Sequence, residues 1–324
     1  MMVFLVCFRH VVLFVLLGVF PGVVSVAMAE SSGGSLSLGY RVDSLDWNIR
    51  AGRGGPNILS ELEWKDMDIL QLRGELSGSN ADGIYFRGQA GYGWVWDGQN
   101  RDSDYAGDNR SLEFSRSNSD VDDGRVLDLS GGLGMTFYFG ETEQWRIIPM
   151  VGYSYHQQNL RMVNGNQVVS NSDNAALLGF SFDLPLGPFA GLNSTYDTTW
   201  HGPWLGADIF LDLQASGTIF MRLEAHWVDY FAQANWNLRG DFAHPVSFEH
   251  EANGQGQVLE LGWQNVSSHI DWVWGVSIAM QSWSTGSGID RIFFSDGSVG
   301  LANLNEVNWS SSSINFTLRK AFAS

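Results

Sequence analysis

The chain has 324 residues and carries 35 acidic against 18 basic ones. Its net charge of −17 excludes the basic face that nucleic-acid phosphates demand. A single cysteine excludes a disulfide framework. The 38 Gly, 14 Trp, 9 Tyr and 20 Phe beside only 7 Pro fit many strands with aromatic outer faces.

The opening segment reads as a targeting signal. One basic residue, Arg9, precedes an apolar stretch from Val11 to about Phe20. Pro21 and Gly22 break that stretch, and Ala27-Met28-Ala29 offers the small residues of a cleavage site. A secretory signal peptide is therefore expected over 1–29, with 30–324 forming one domain. Cys7 would leave with the signal, so no thiol chemistry remains. No later segment approaches the roughly 20 apolar residues of a spanning helix.

Strands follow in order, recognised by alternation with a period of two. The first two are expected near 35–49 and 57–77. In the third, 83–96, Ile84, Phe86, Ala90, Tyr92, Trp94 and Trp96 oppose Tyr85, Arg87 and Gln89. In the fourth, 125–139, Leu127, Leu129, Leu133, Met135, Phe137 and Phe139 oppose Asp128, Ser130 and Thr136. A fifth covers 143–161 and a sixth 200–213. The seventh, 218–227, sets Ile219, Met221, Leu223, Ala225 and Trp227 against Arg222, Glu224 and His226. An eighth runs over 258–264. The ninth, 269–281, places Ile270, Trp272, Trp274, Val276, Ile278 and Met280 on one face, and 313–322 is the tenth. An extended chain turns alternate side chains to opposite faces, one suited to lipid and one to a polar lumen.

Connector lengths alternate too. Short turns are expected at 78–80, 140–143, 214–217 and 265–268, and long polar connections at 97–123, 162–197, 239–256 and 284–305. That asymmetry predicts an all-β fold: a ten-stranded antiparallel transmembrane β-barrel with short periplasmic turns and long extracellular loops. An even strand count puts both termini in the periplasm of a bacterium whose outer membrane holds the barrel. Ten strands leave a narrow lumen, crowded here by Arg73, Glu75, Arg87, Arg222, Glu224 and His226. Structural ion pairing accounts for those charges. Wide, general diffusion is not expected.

Several stretches resemble the omptin family of outer-membrane proteases. Ser35-Leu36-Ser37-Leu38-Gly39-Tyr40 is similar to the omptin opening strand, and Leu59-Ser60-Glu61-Leu62-Glu63-Trp64-Lys65 to the second. Arg101-Asp102-Ser103-Asp104-Tyr105 stands where omptins carry Asp-Gln-Asp-Trp, and Ser115-Arg116-Ser117 follows before strand four. The resemblance implies peptide cleavage between basic residues, with a water activated between an aspartate pair and an Asp-His pair. The first pair falls on Asp102 and Asp104, two residues apart and so on one side of an extended segment. The second falls on Asp241 and His244, followed by Pro245. Their spacing is three where omptins have two, which puts them on opposite faces of a straight strand. His250, between Glu249 and Glu251, is an alternative base.

No cofactor is expected. His156, His201 and His269 have no metal-ligand spacing, and neither a Gly-rich phosphate loop nor a serine nucleophile motif appears. Three functions stay open: a non-catalytic surface-exposed envelope barrel, an omptin-like endopeptidase, and a narrow selective pore. The expected partners are outer-membrane lipid, lipopolysaccharide and basic peptides. Nucleic acid is not among them, and the sequence does not give the oligomeric state.

Overall fold

A computed structural model describes residues 31–52, 54–179, 181, 183–265 and 272–322. The expected signal segment with Cys7 lies outside them, as do 266–271, which hold His269, Ile270, Asp271 and most of the last short turn.

The chain runs through β1 (Ser31–Arg50), β2 (Ser60–Ser79), β3 (Ile84–Gly107), β4 (Ser111–Val121), β5 (Gly124–Met135) and β6 (Phe137–Phe139). Then come β7 (Trp145–Ser170), a short helix α1 (Ser172–Ala176), β8 (Gly187–Pro188), β9 (Ser194–Asp212) and β10 (Thr218–Asn235). The last are β11 (Phe248–Gln264), β12 (Trp272–Thr285), β13 (Gly288–Phe293) and β14 (Val299–Ala321). All pairings are antiparallel. β4, β5 and β6 are successive pieces of one wall between β3 and β7, and β12 and β13 share another between β11 and β14. β14 pairs back onto β1 from Gly33↔Ala321 to Arg50↔Asn303, which closes a barrel of ten walls. Closure leaves no edge along the wall and satisfies the backbone without water.

The predicted alternation sets the outer surface. Leu38 stands beside Leu72 on one side and Phe316 on the other, and Ile278 beside Leu261 and Ile314. These side chains are exposed, as are Trp272, Trp274, Val276 and Met280. They form a continuous apolar belt, edged by Tyr40, Trp96, Tyr153 and Trp227 at the end away from the chain termini. Among the described residues no helix is long and apolar enough to cross a membrane.

The long connections differ from the expected loops. Much of 97–123 continues as β3 and β4, β7 reaches Ser170, β11 begins at Phe248, and 284–305 contains β13 and the start of β14. The strands therefore extend well past the belt. They escaped the alternation pattern because their outer faces are polar there, while backbone pairing continues regardless.

The interior falls into two parts. Within the belt it is ionic. Arg41 bridges Asp43 at 2.5 Å and Asp128 at 2.6 Å. Arg87 bridges Asp208 at 2.5 Å and also pairs with Glu224, which His226 meets at 3.0 Å. Arg222 binds Glu75 at 2.6 Å and Glu260 at 3.3 Å. The lumen residues expected from the sequence thus point inward and pair. Beyond the belt the interior is an aromatic plug. Trp47, Trp64, Trp200, Trp283 and Trp309 are buried there with Tyr196, Tyr230, Leu45, Leu62, Met67 and Ile69. Trp283 and Trp309 stack at 5.2 Å, and His156 joins the two parts, 4.8 Å from Trp283 and hydrogen-bonded to Asp128.

Candidate functional site

Asp102 and Asp104 lie on the far stretch of β3, beyond the belt. Asp102 stands opposite Leu62 and Ser117, and Asp104 opposite Ser60 and Ser115. Leu62 is buried in the plug, so both carboxylates turn toward the inside of the mouth. The two-residue spacing has the geometric effect read from the sequence. Both are only partly exposed. Burial raises the pKa of Asp102, and the neighbouring Asp104 raises it further. Burial raises Asp104 too, against hydrogen bonds from Ser60 and Ser115. Two carboxyls that disfavour each other's charge tend to hold a proton between them.

A cation faces this pair. Arg239, in the connection between β10 and β11, stabilises the charged forms of both Asp102 and Asp104. Its guanidinium also forks onto Asp241, Nε to Oδ1 at 2.9 Å and Nη2 to Oδ2 at 2.8 Å, and lies over the Phe242 ring at 4.2 Å. That fork lowers the pKa of Asp241. Sequence reading passed over Arg239, because a lone loop arginine carries no motif.

The second expected pair does not form. Asp241 is held by Arg239, while the Nδ1 of exposed His244 meets Asn235 Oδ1 at 2.8 Å. Asp241 bonds across the turn to Ser295, and Ala243 to Phe293, so the segment bends onto the β13 end instead of running straight. The bend turns the carboxylate and the imidazole to different neighbours.

Besides Asp128 with His156 in the lumen, Asp290 and His250 form an Asp-His pair beyond the belt. They are register partners on β13 and β11, with Nε2 3.5 Å from Oδ1. His250 Nδ1 meets the Tyr196 hydroxyl at 2.8 Å, and that hydroxyl meets Tyr230 at 2.7 Å. His250 has 0% exposure and sits edge-on to Trp47 at 4.8 Å. Buried inside the plug, it has no path to a peptide bond or to bulk water. Asp290 was invisible to sequence reading, since only strand register brings it to His250. Among the described residues no group of three or more His, Cys, Asp or Glu could hold a metal ion.

The fold is omptin-like. The outer membrane protease OmpT of Escherichia coli superposes with a TM-score of 0.67 at 13% identity, over 91% of this chain and 98% of that one. The translocator domain of the autotransporter NalP from Neisseria meningitidis reaches a TM-score of only 0.37 at 8% identity, covering 91% and 90% of the two chains. The toluene transporter TodX of Pseudomonas putida reaches 0.30 at 9% identity, covering 92% and 91%. No curated protein sequence matches the chain. A model of the Protochlamydia outer membrane proteins, Pom, matches residues 35–322, and the chain belongs to that family of outer-membrane proteins.

Proposed function

We propose that this protein is a surface-exposed envelope barrel without peptidase activity. In this reading the chain termini and short turns face the periplasm, and the long hairpins stand outside the cell among lipopolysaccharide. One observation carries the reading. The charge that acts on Asp102 and Asp104 from the β10–β11 connection is the guanidinium of Arg239, which forks onto Asp241, while His244 is engaged with Asn235. A general base must come within hydrogen-bond reach of the proton it removes, and His250, the other candidate, is sealed in the plug. The acidic mouth suits retention of basic peptides, an incoming cation joining Arg239 near the aspartate pair.

The test is cleavage of a fluorogenic peptide with two adjacent basic residues, by refolded barrel supplemented with lipopolysaccharide. No turnover is expected from wild type or from a double Asp102→Ala, Asp104→Ala variant. Turnover by wild type that the double variant loses would sink the reading and establish an omptin-like endopeptidase.

A narrow selective pore is the second reading. The charged lower lumen favours it, since Arg73 and Glu75 line a recess at the terminal end. The aromatic plug is then its closed gate. Conductance in planar bilayers separates the two: discrete channels that widen in a Trp200→Ala, Trp283→Ala variant would favour the pore, and a silent bilayer the envelope barrel.

A further inference from the structure

The recess at the terminal end of the lumen has a lining that the ion-pair network does not use up. It is bounded by Ser35, Ser37, Arg73, Glu75, Thr317 and Arg319, with Arg222 and Glu260 behind. β1 forms its floor. Arg73 stands beside Ser37 on the β2 side, and Arg319 beside Ser35 on the β14 side. Two guanidinium groups therefore flank one strand from opposite sides, two residues apart in level, with hydroxyls between them. The Ser37 and Thr317 hydroxyls are 2.7 Å apart.

The carboxylates of the recess are taken by arginines other than Arg319. Glu75 gives both oxygens to Arg222, at 2.6 and 2.9 Å. Glu260 is taken by Arg73 at 2.7 Å, Ser277 at 2.7 Å and Arg222 at 3.3 Å. Arg222 also lies 3.8 Å from Asp208, so Glu75, Glu260 and Asp208 are engaged by Arg222 and Arg73. Among the described residues the ion-pair contact of Arg319 is Nη1 to Glu75 Oε1 at 3.9 Å, beyond hydrogen-bond range. Arg146, over the Phe210 ring at 4.1 Å, adds positive charge behind the recess, which Phe210 also lines. Gly33 leaves room for the Arg319 guanidinium: a Cβ there would come within 3.2 Å of its Nε and Nη2. Arg319 remains 32% exposed at the opening. A guanidinium whose donors are open among the described residues, in a lumen ringed by hydrocarbon, draws an anion.

Size narrows the class. The recess measures about 40 Å³. That is room for a small ion and not for an extended ligand. The planar forks of two arginines suit a small tetrahedral oxyanion better than a halide.

We infer that this recess binds one phosphate-class oxyanion between Arg73 and Arg319, with the hydroxyls of Ser35, Ser37 and Thr317 as further donors. The ion comes either free from solution or as a lipid headgroup at the barrel's end.

The test is calorimetric titration of inorganic phosphate into the refolded barrel in zwitterionic detergent at low chloride, with folding checked by heat-modifiable gel mobility. Saturable binding at one site is expected. Arg319→Gln, at the open rim where folding is least at risk, should weaken it at least tenfold. Arg161→Gln, on an exposed pair at the other end, should leave it unchanged. Repeating the titration in phosphatidylcholine and in phosphatidylglycerol nanodiscs identifies the source. Equal affinity in both marks a free ion, and loss in the anionic lipid marks the headgroup. No saturable heat, or equal affinity in wild type and Arg319→Gln, overturns the site.

Discussion

The two halves of the barrel interior are built in opposite ways. Inside the apolar belt the filling is charge: Arg41 with Asp43 and Asp128, Arg87 with Asp208 and Glu224, Arg222 with Glu75 and Glu260. Beyond the belt it is chiefly indole, phenol and aliphatic side chains, and charged groups such as Glu63, Lys65 and Arg101 stand on the outer face. The surroundings explain the inversion. Where water bathes the outside, burying apolar side chains is favourable, and the extended hairpins fold as a soluble protein does. Where hydrocarbon bathes the outside, a leucine gains little by moving inward. What holds that interior is ion pairing and hydrogen bonding among groups that cannot face lipid.

This contrast can be broken by substitution. Arg41→Met strands two carboxylates, one of them fully buried, and should cost about 4 kcal/mol, the range for removing one member of a buried pair. Urea titration in lipid vesicles would show it as a fall in the midpoint for the whole barrel. Trp200→Ala should cost about 3 kcal/mol through the cavity it leaves. Its effect should be local: faster amide exchange in the outer parts of β9 and β10, with the belt unchanged. Equal loosening of both halves would mean that they form one cooperative unit.

The smallest expected effect lies at the mouth. Burial raises the Asp102 pKa, so its proton is held more tightly folded than unfolded. Its stabilising contribution is complete below the ordinary carboxyl range and is lost as pH rises through the raised value. Asp102→Asn should therefore raise the urea midpoint at pH 7, by on the order of 1 kcal/mol, and leave it unchanged near pH 3. A midpoint that shifts equally at both pH values would show that ionisation is not the cause.

The strands inside the belt were readable because lipid on one side and a polar lumen on the other impose alternation, as in 269–281 and 83–96. Beyond the belt that contrast disappears, so β4, β13 and the outer part of β3 read as polar loops although their backbones pair normally. Asp102 and Asp104 were legible for the same local reason, since two residues in one strand share a face. The link from Arg239 to Asp241 and the pairing of Asp290 with His250 were not. The first depends on how a loop bends, and the second on register between strands forty residues apart.

Ring closure also constrains the order of assembly. β1 has two neighbours, and one of them is the last strand of the described chain, so Ser37 meets Thr317 across 280 residues of sequence. During synthesis β1 and β2 can pair early, but the far flank of β1 stays bare until β14 has been made. Throughout that interval the nascent chain exposes an open sheet margin and an unsheltered apolar belt. Loss of the final strand would leave every earlier strand made and none of them enclosed.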